Sequence, residues 1–264
     1  MEGMLKFLVL LGLAVVAVVA VGVVGLLAFD SDDAGSGGST TAVVTPVSTA
    51  QGSTGGSATP EGPVTADDVL QEAAEQSAKL MTFHFVLTHE NGFTPLPLNL
   101  ELESAEGDVV VPDRLAADVE AEAVGLNVRV KVVGIDDRTW VTNPFTRDWE
   151  ELGGTNIRDF ADPAALVSGL LPSIKDPELG PGGSVDGVHT HLITGSIDSG
   201  ALQDALGIAE PGREVGVEAW IGLDDMLPRR VRLIGPLSDA ESPDVVRQVE
   251  LSRFDEPVEI MPPE

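Results

Sequence analysis

The chain has 264 residues, with 43 Asp and Glu against 15 Lys and Arg, a formal charge of −28 and a pI near 4.2. Phosphate backbones repel such a chain, which sets direct nucleic-acid binding aside. It has no cysteine, which excludes disulfides, thiol catalysis, Cys-ligated zinc, iron–sulfur clusters and lipidation through Cys.

Residues 7–29, FLVLLGLAVVAVVAVGVVGLLAF, form an uncharged apolar run. As a helix this run is about 34 Å long, enough to cross a hydrocarbon core of about 30 Å. A secretory signal peptide has an apolar region of only about 7–15 residues. Length therefore favours an uncleaved, single-pass signal-anchor over residues 1–29, with a cleaved signal peptide as the alternative. Lys6 precedes the run, and Asp30, Asp32 and Asp33 follow it. The positive-inside rule then puts the N-terminus in the cytoplasm and the rest outside the cell membrane. Residues 30–64 are Gly, Ser, Thr, Ala and Pro with almost no large apolar side chain. This stretch is expected to be a disordered linker, because it buries too little surface to offset chain entropy. As a flexible coil it reaches about 30–35 Å.

Residues 65–264 suit one domain. A helix opens it. Thr65 is a good N-cap, and Asp67 and Asp68 complement the helix dipole in the first turn. Val69, Leu70, Ala73, Ala74, Ser77, Leu80 and Met81 then recur at helical spacing. After Met81 the period becomes two. Four apolar sets alternate with more polar ones: Phe83, Phe85 and Leu87; Leu98, Leu100 and Leu102; Leu115, Ala117, Val119 and Ala121; Val128, Val130 and Val132. Connectors at Glu106-Gly107-Asp108 and at Gly125 are too short for parallel crossovers, so these strands read as antiparallel. Further strands are expected at 138–141, 189–194, 215–221, 229–234 and 245–254. Short helices are expected at 162–171, with Pro163 at the first helical position, and at 199–206. The expected fold class is α+β, a large antiparallel sheet with a few helices. One face of the sheet is small and aliphatic; the other carries Glu, Asp, Asn, Arg and Lys. An aliphatic face that helices cover incompletely leaves volume for an apolar guest. A sheet that closes on itself leaves none, and the pattern alone keeps both options open.

The residues that could carry chemistry form no complete set. His189 and His191 share one side of a strand, about 7 Å apart, a metal-ligand spacing without a third ligand nearby in sequence. His84 and His89 are the other two histidines. There is no Gly-x-Ser-x-Gly elbow; Gly195-Ser196-Ile197-Asp198-Ser199-Gly200 reads as a strand end leading to a helix N-cap at Ser199. Asp136-Asp137 and Asp224-Asp225 could hold a hard cation or act as acid and base, yet both sit where β-turns favour Asp. Gly180-Pro181-Gly182-Gly183 lacks the Lys-Ser/Thr of a phosphate loop and reads as a plain loop. Trp140, Trp149 and Trp220 flank polar stretches and either cap the core or border an opening.

Several blocks stand in order along the chain. They are Met81-Thr-Phe-His-Phe-Val-Leu-Thr88, Val111-Pro-Asp-Arg-Leu115, Val132-Val-Gly-Ile-Asp-Asp-Arg-Thr-Trp-Val-Thr-Asn-Pro-Phe-Thr146 with Trp149-Glu150, and Asp162-Pro-Ala-Ala-Leu166. After them come Asp186-Gly-Val188, Gly195-Ser-Ile-Asp-Ser-Gly200, Trp220-Ile-Gly222 with Leu227-Pro-Arg-Arg230, and Phe254-Asp-Glu-Pro-Val-Glu-Ile260. Together, over nearly all of residues 65–264, they resemble the LppX/LprAFG lipoprotein family, known chiefly from mycobacteria. The resemblance implies a U-shaped antiparallel half-barrel with helices on its concave face, akin to periplasmic lipoprotein carriers. It implies a protein that holds acylated lipids or glycolipids in an apolar cavity and helps move them through the cell envelope. It implies no enzyme and no cofactor. The partners implied by the resemblance are the lipid and an envelope lipid transporter; the membrane, through the N-terminal helix, is the partner read from the apolar run itself.

On that resemblance the cavity lining comprises Phe83, Phe85, Leu87, Leu98, Leu100, Leu102, Ala117, Val119, Val128, Val130 and Val132. Their shared face follows from the period of two; their contact with lipid follows from the resemblance alone. The chain departs from the family at Leu26-Leu27-Ala28-Phe29, where members usually carry a lipobox Cys, and here the apolar run replaces acylation as the anchor. Two readings of other classes stand beside this one: a structural or protein-interaction module of the envelope with a self-filled core, and an envelope hydrolase assembled from distant residues.

Overall fold

A computed structural model describes residues 64–96, 100–123, 125–152, 171–206 and 209–264. The expected anchor at 7–29, nearly all of the linker, and the expected helix at 162–171 apart from Leu171 lie outside these residues. Among the described residues no helix is long and apolar enough to cross a membrane.

Helix α1 (Ala66–Ser77) starts where the cap residue stands. Thr65 Oγ1 accepts from the Asp68 amide at 3.2 Å, and Asp68 Oδ2 accepts from the Thr65 amide at 3.0 Å. This reciprocal pair satisfies two amides that the helix itself leaves open. Val69, Leu70 and Ala73 are buried on the apolar side, as their spacing predicts.

The rest of the described residues is predominantly sheet. The strands are β1 (Thr82–Glu90), β2 (Thr94–Leu96), β3 (Leu100–Val110), β4 (Arg114–Ala123), β5 (Leu126–Ile135) and β6 (Arg138–Thr142). They continue with β7 (Trp149–Leu152), β8 (Lys175–Val185), β9 (Val188–Asp198), β10 (Glu214–Gly222), β11 (Pro228–Ile234) and β12 (Val246–Ser252). A second helix, α2 (Ser199–Leu206), follows β9, and a 3-10 turn at Leu171–Ser173 precedes β8. All twelve described strands join one antiparallel sheet in the order β7-β6-β5-β4-β3-β1-β12-β11-β10-β9-β8, with β2 beside β3. The chain therefore meanders outward from β1 to one edge, reappears at the opposite edge, and meanders back to the middle. There β12 pairs with β1, from His84 opposite Ser252 to Glu90 opposite Val246. The edges β7 and β8 do not pair with each other.

The structure corrects four local expectations. Glu106-Gly107-Asp108 is not a connector but the middle of β3, and the hairpin turns at residues 111–113 instead. Gly107 is there because β4 runs so close that a Cβ would sit 2.3 Å from the Ala116 carbonyl oxygen and 2.9 Å from Ala117 Cα. Gly180-Pro181-Gly182-Gly183 is part of β8, whose pairing with β9 slips twice, between Lys175 and Glu178 and between Gly180 and Gly183. An edge strand tolerates Pro181 because one side of its backbone needs no ladder donor. Ser199 is the first residue of α2 rather than its cap. Asp198 Oδ1 accepts from the Gly200 amide at 2.8 Å, while the Ser199 hydroxyl donates to the Glu210 carbonyl and accepts from the Arg213 amide. The short strands β2 and β7 have no counterpart among the expected elements.

Candidate functional site

The period of two resolves into rows that cross the sheet. One row runs Ile193, Ala219, Val231, Val249, Leu87, Ala105, Val119, Val130, each directly opposite the next. No member is more than 3% exposed. A parallel row runs Leu251, Phe85, Gly107, Ala117, Val132, Val141. These rows define one continuous apolar face across both halves of the sheet. Helix α1, Leu171 and Ile174 near the 3-10 turn, Leu202 of α2, Ala209 and Leu237 belong to the same buried cluster.

Of the expected lining residues, Phe83, Phe85, Leu87, Leu100, Leu102, Ala117, Val119, Val130 and Val132 all lie buried in this cluster. Val128 is half-buried and packs against it. Leu98 lies outside the described residues. Sequence reasoning confined the lining to the early strands. The face continues through Val215, Val217, Ala219 and Ile221 of β10, Val231 and Leu233 of β11, and Val249 and Leu251 of β12. Their alternation was equally visible.

At one end of this face sits a charged group that the expected residues did not include. Arg247 of β12 has the same parity as Val249 and Leu251, stands opposite Leu233 and His89, and is 0% exposed. Its Nη2 lies 2.5 Å from Glu241 Oε2, and the Glu241 side chain is itself 1% exposed. Glu241 Oε2 also accepts from the Leu237 amide at 2.7 Å. Arg247 Nε donates to Thr94 Oγ1 at 2.8 Å, and Thr94 Oγ1 lies 2.7 Å from His89 Nε2. His89 Nδ1 lies 2.9 Å from the Glu103 carbonyl oxygen. A carbonyl only accepts, so Nδ1 carries the proton; Nε2 then accepts from the Thr94 hydroxyl. The chain of donors closes with a neutral imidazole. Burial pushes the His89 pKa down to about 4; donation to the Glu103 carbonyl opposes this and the Arg247 cation adds to it. Burial likewise lowers the Arg247 pKa, against the pull of Glu241. The cluster ties three segments together: the kink between β1 and β2, the loop from Gly235 to Val245, and β12. The signal for Arg247 was present in sequence as a charged residue on the apolar parity of a strand.

The opposite face of the sheet is polar and built from paired charges. Arg230 pairs with Glu250, Arg232 with Glu218, and Lys131 with Asp118. A concavity of about 820 Å³ lies on this face over β1, β3, β4 and β5, walled by Trp149 and Arg253. In it His84 Nδ1 contacts Asp108 Oδ1 at 2.8 Å, and Arg253 Nη2 donates to the same oxygen at 2.9 Å. His189 is exposed and His191 half-buried. Among the described residues, no three His, Asp or Glu side chains are placed to hold a metal ion. Asp136 and Asp137 make the β5–β6 turn, with Asp136 at φ 55°. Asp225 sits in the β10–β11 turn, accepting from the Leu227 amide and pairing with Arg229. Trp140 is buried with Ile135 and Ile260 under the C-terminal tail, and the Arg138 guanidinium lies 4.5 Å from its ring centroid. Trp220 is half-buried, with Arg230 at 5.6 Å.

Comparison with known proteins bears on this arrangement. Residues 65–260 match the LppX/LprAFG lipoprotein family. Among solved structures, LprF from Mycobacterium bovis is similar with a TM-score of 0.58 at 17% identity, covering 75% of this chain and 96% of that one. The lipoprotein LppX from Mycobacterium tuberculosis is similar with a TM-score of 0.56 at 20% identity, covering 74% and 98% respectively. No individually curated protein sequence matches the chain.

Proposed function

Because the chain belongs to the LppX/LprAFG lipoprotein family, we propose that it is a membrane-anchored, extracytoplasmic protein that binds acylated lipids or glycolipids and assists their transfer through the cell envelope. It acts by holding acyl chains, without catalysis. In this reading the sheet curves into a half-barrel around its apolar face, and the apolar run at 7–29 keeps the domain at the membrane.

The observation that supports this reading is the extent of the apolar face relative to the helices among the described residues. Eleven strands abreast, each of about eight residues, span about 50 Å by 25 Å, or about 1,300 Å². The 12 residues of α1 and the 8 of α2 have a combined footprint of about 300 Å². A face so much larger than the described helices suits acyl chains. Each buried CH₂ contributes about 0.8 kcal/mol, so one C16 chain supplies on the order of 12 kcal/mol before ordering costs.

One observation favours the second reading, a self-filled interaction module: Leu87, Leu102, Val119 and Val132 are all 0% exposed. Two variants separate the readings. Ala117→Trp and Val130→Trp each push a large ring into the face. If lipid occupies it, native mass spectrometry of the purified protein shows bound lipid that the variants lose, with little change in melting. If side chains fill it, no lipid copurifies and overpacking costs about 1–3 kcal/mol or more. The second result overturns the lipid reading.

A further inference from the structure

Two turns at one end of the sheet expose apolar side chains side by side. Phe145, in the β6–β7 turn, is 71% exposed, and Leu126, at the β4–β5 turn, is 63% exposed. Both border one concavity of about 590 Å³, whose wall also includes Val128, Pro144, the cations Arg129 and Arg147 and the carboxylates Glu103 and Glu120. The β6–β7 turn is built to hold the ring outward. Asn143 is 2% exposed, and its Oδ1 accepts from the Phe145 amide at 3.0 Å and the Thr146 amide at 3.2 Å. Its Nδ2 donates to Glu150 Oε1 at 2.9 Å, and its carbonyl accepts from the Arg147 amide at 2.9 Å. A turn tied this closely to its own strands leaves the ring in water although burying it is favourable.

We propose that this pair of turns is a docking tip that inserts into the interface of an anionic lipid bilayer. The proposal rests on the membrane-anchored reading above. Three features select a bilayer as the occupant. Arg129 is engaged by Glu120, whereas Arg147 has no acidic partner among the described residues and stands exposed beside the apolar tip. An aromatic and an aliphatic side chain flanked by a free guanidinium fit the headgroup level, where rings settle and cations meet anionic lipid. The expected anchor and its linker, of reach about 30–35 Å, keep the tip within range of a membrane, so weak insertion suffices. The remainder of a chain of charge −28 is repelled by the same surface, so the tip also sets which end of the sheet faces the bilayer.

The test uses the full chain carrying Phe145→Trp, reconstituted in vesicles of phosphatidylcholine and phosphatidylglycerol with brominated acyl chains. The parent chain, with its three native tryptophans, is the reference. Docking predicts that the added emission is blue-shifted and quenched by brominated lipid at least about twofold. It also predicts that Leu126→Asp or Arg147→Glu in the same background removes about half or more of that quenching. A chain that sediments with vesicles while the added tryptophan stays water-like and unquenched overturns docking and leaves the anchor standing. A chain that does not sediment with vesicles overturns both. A blue shift that grows with protein concentration without lipid overturns docking in favour of a second copy of the chain.

Discussion

Acidification isolates the contribution of His89. In the folded chain its pKa is held down to about 4, first by burial; unfolded, it returns to about 6.5. Between those values the unfolded state binds a proton that the folded state refuses. Stability from this residue is therefore complete above about pH 6.5 and falls by about 1.4 kcal/mol per pH unit until about pH 4. The full span is about 3 kcal/mol, and about 2 kcal/mol once solvent at the half-buried ring edge is allowed for. The variant His89→Gln keeps one donor for the Glu103 carbonyl and one acceptor for the Thr94 hydroxyl but does not titrate. Urea melts of parent and variant at steps between about pH 7 and pH 4 give two stability curves. Carboxylates titrate in both, so the difference between the curves carries the His89 signal. The parent should lose about 2 kcal/mol relative to the variant across the window. A difference that stays flat would refute both the neutral assignment and the donor chain through Thr94.

Three further outcomes are expected. Arg247→Met leaves Glu241 buried without its cation and should destabilise by about 3–5 kcal/mol, whereas Arg247→Met combined with Glu241→Leu should recover much of that loss; equal losses in the single and double variants, read by denaturant melts, would contradict the pairing. Gly107→Ala places a methyl against the backbone of β4 and should cost about 1–3 kcal/mol, and an unchanged melting temperature would contradict the close approach of β3 and β4. A chain beginning at Thr65 should melt cooperatively, because the cap of α1 and every described strand lie within it; aggregation or a broad, non-cooperative transition would move the domain boundary upstream.

Strands β4 and β5 and the start of β3 were legible because one face meets water and the other does not, which writes the period of two into residues such as Ala117, Asp118 and Val119. Strand β8 was not legible. As an edge with nearly every side chain exposed, it has no burial contrast, and its Gly and Pro imitate a loop. Gly107 misled for a related reason, since a glycine demanded by a neighbouring strand looks the same as one demanded by a turn. The faces were readable strand by strand, but the rows were not. Alignment of Leu87 with Val249 depends on the pairing of β1 with β12, and no local pattern specifies that register. Arg247 shows the limit most plainly. Its parity announced a charge on the apolar side, while its partner Glu241 comes from a loop whose fold no periodicity describes.

The seam between β1 and β12 has a consequence for synthesis. The strand at the centre of the sheet is made first and its neighbour last. Until the final residues of β12 emerge, β1 presents a long edge flanked by aliphatic side chains, with β3 on one side and nothing on the other. The two meanders can each zip up locally, but the ladder that joins them must wait for the whole chain, and its loop-closure entropy is among the largest in the molecule. In the proposed extracytoplasmic topology the chain after the apolar run crosses the membrane with β1 ahead of β12, and that interval is the time when the edge is open to strand addition by another chain. Shielding β1 until β12 arrives therefore falls to whatever the unfinished chain meets first, and any truncation before β12 leaves that vulnerability permanent.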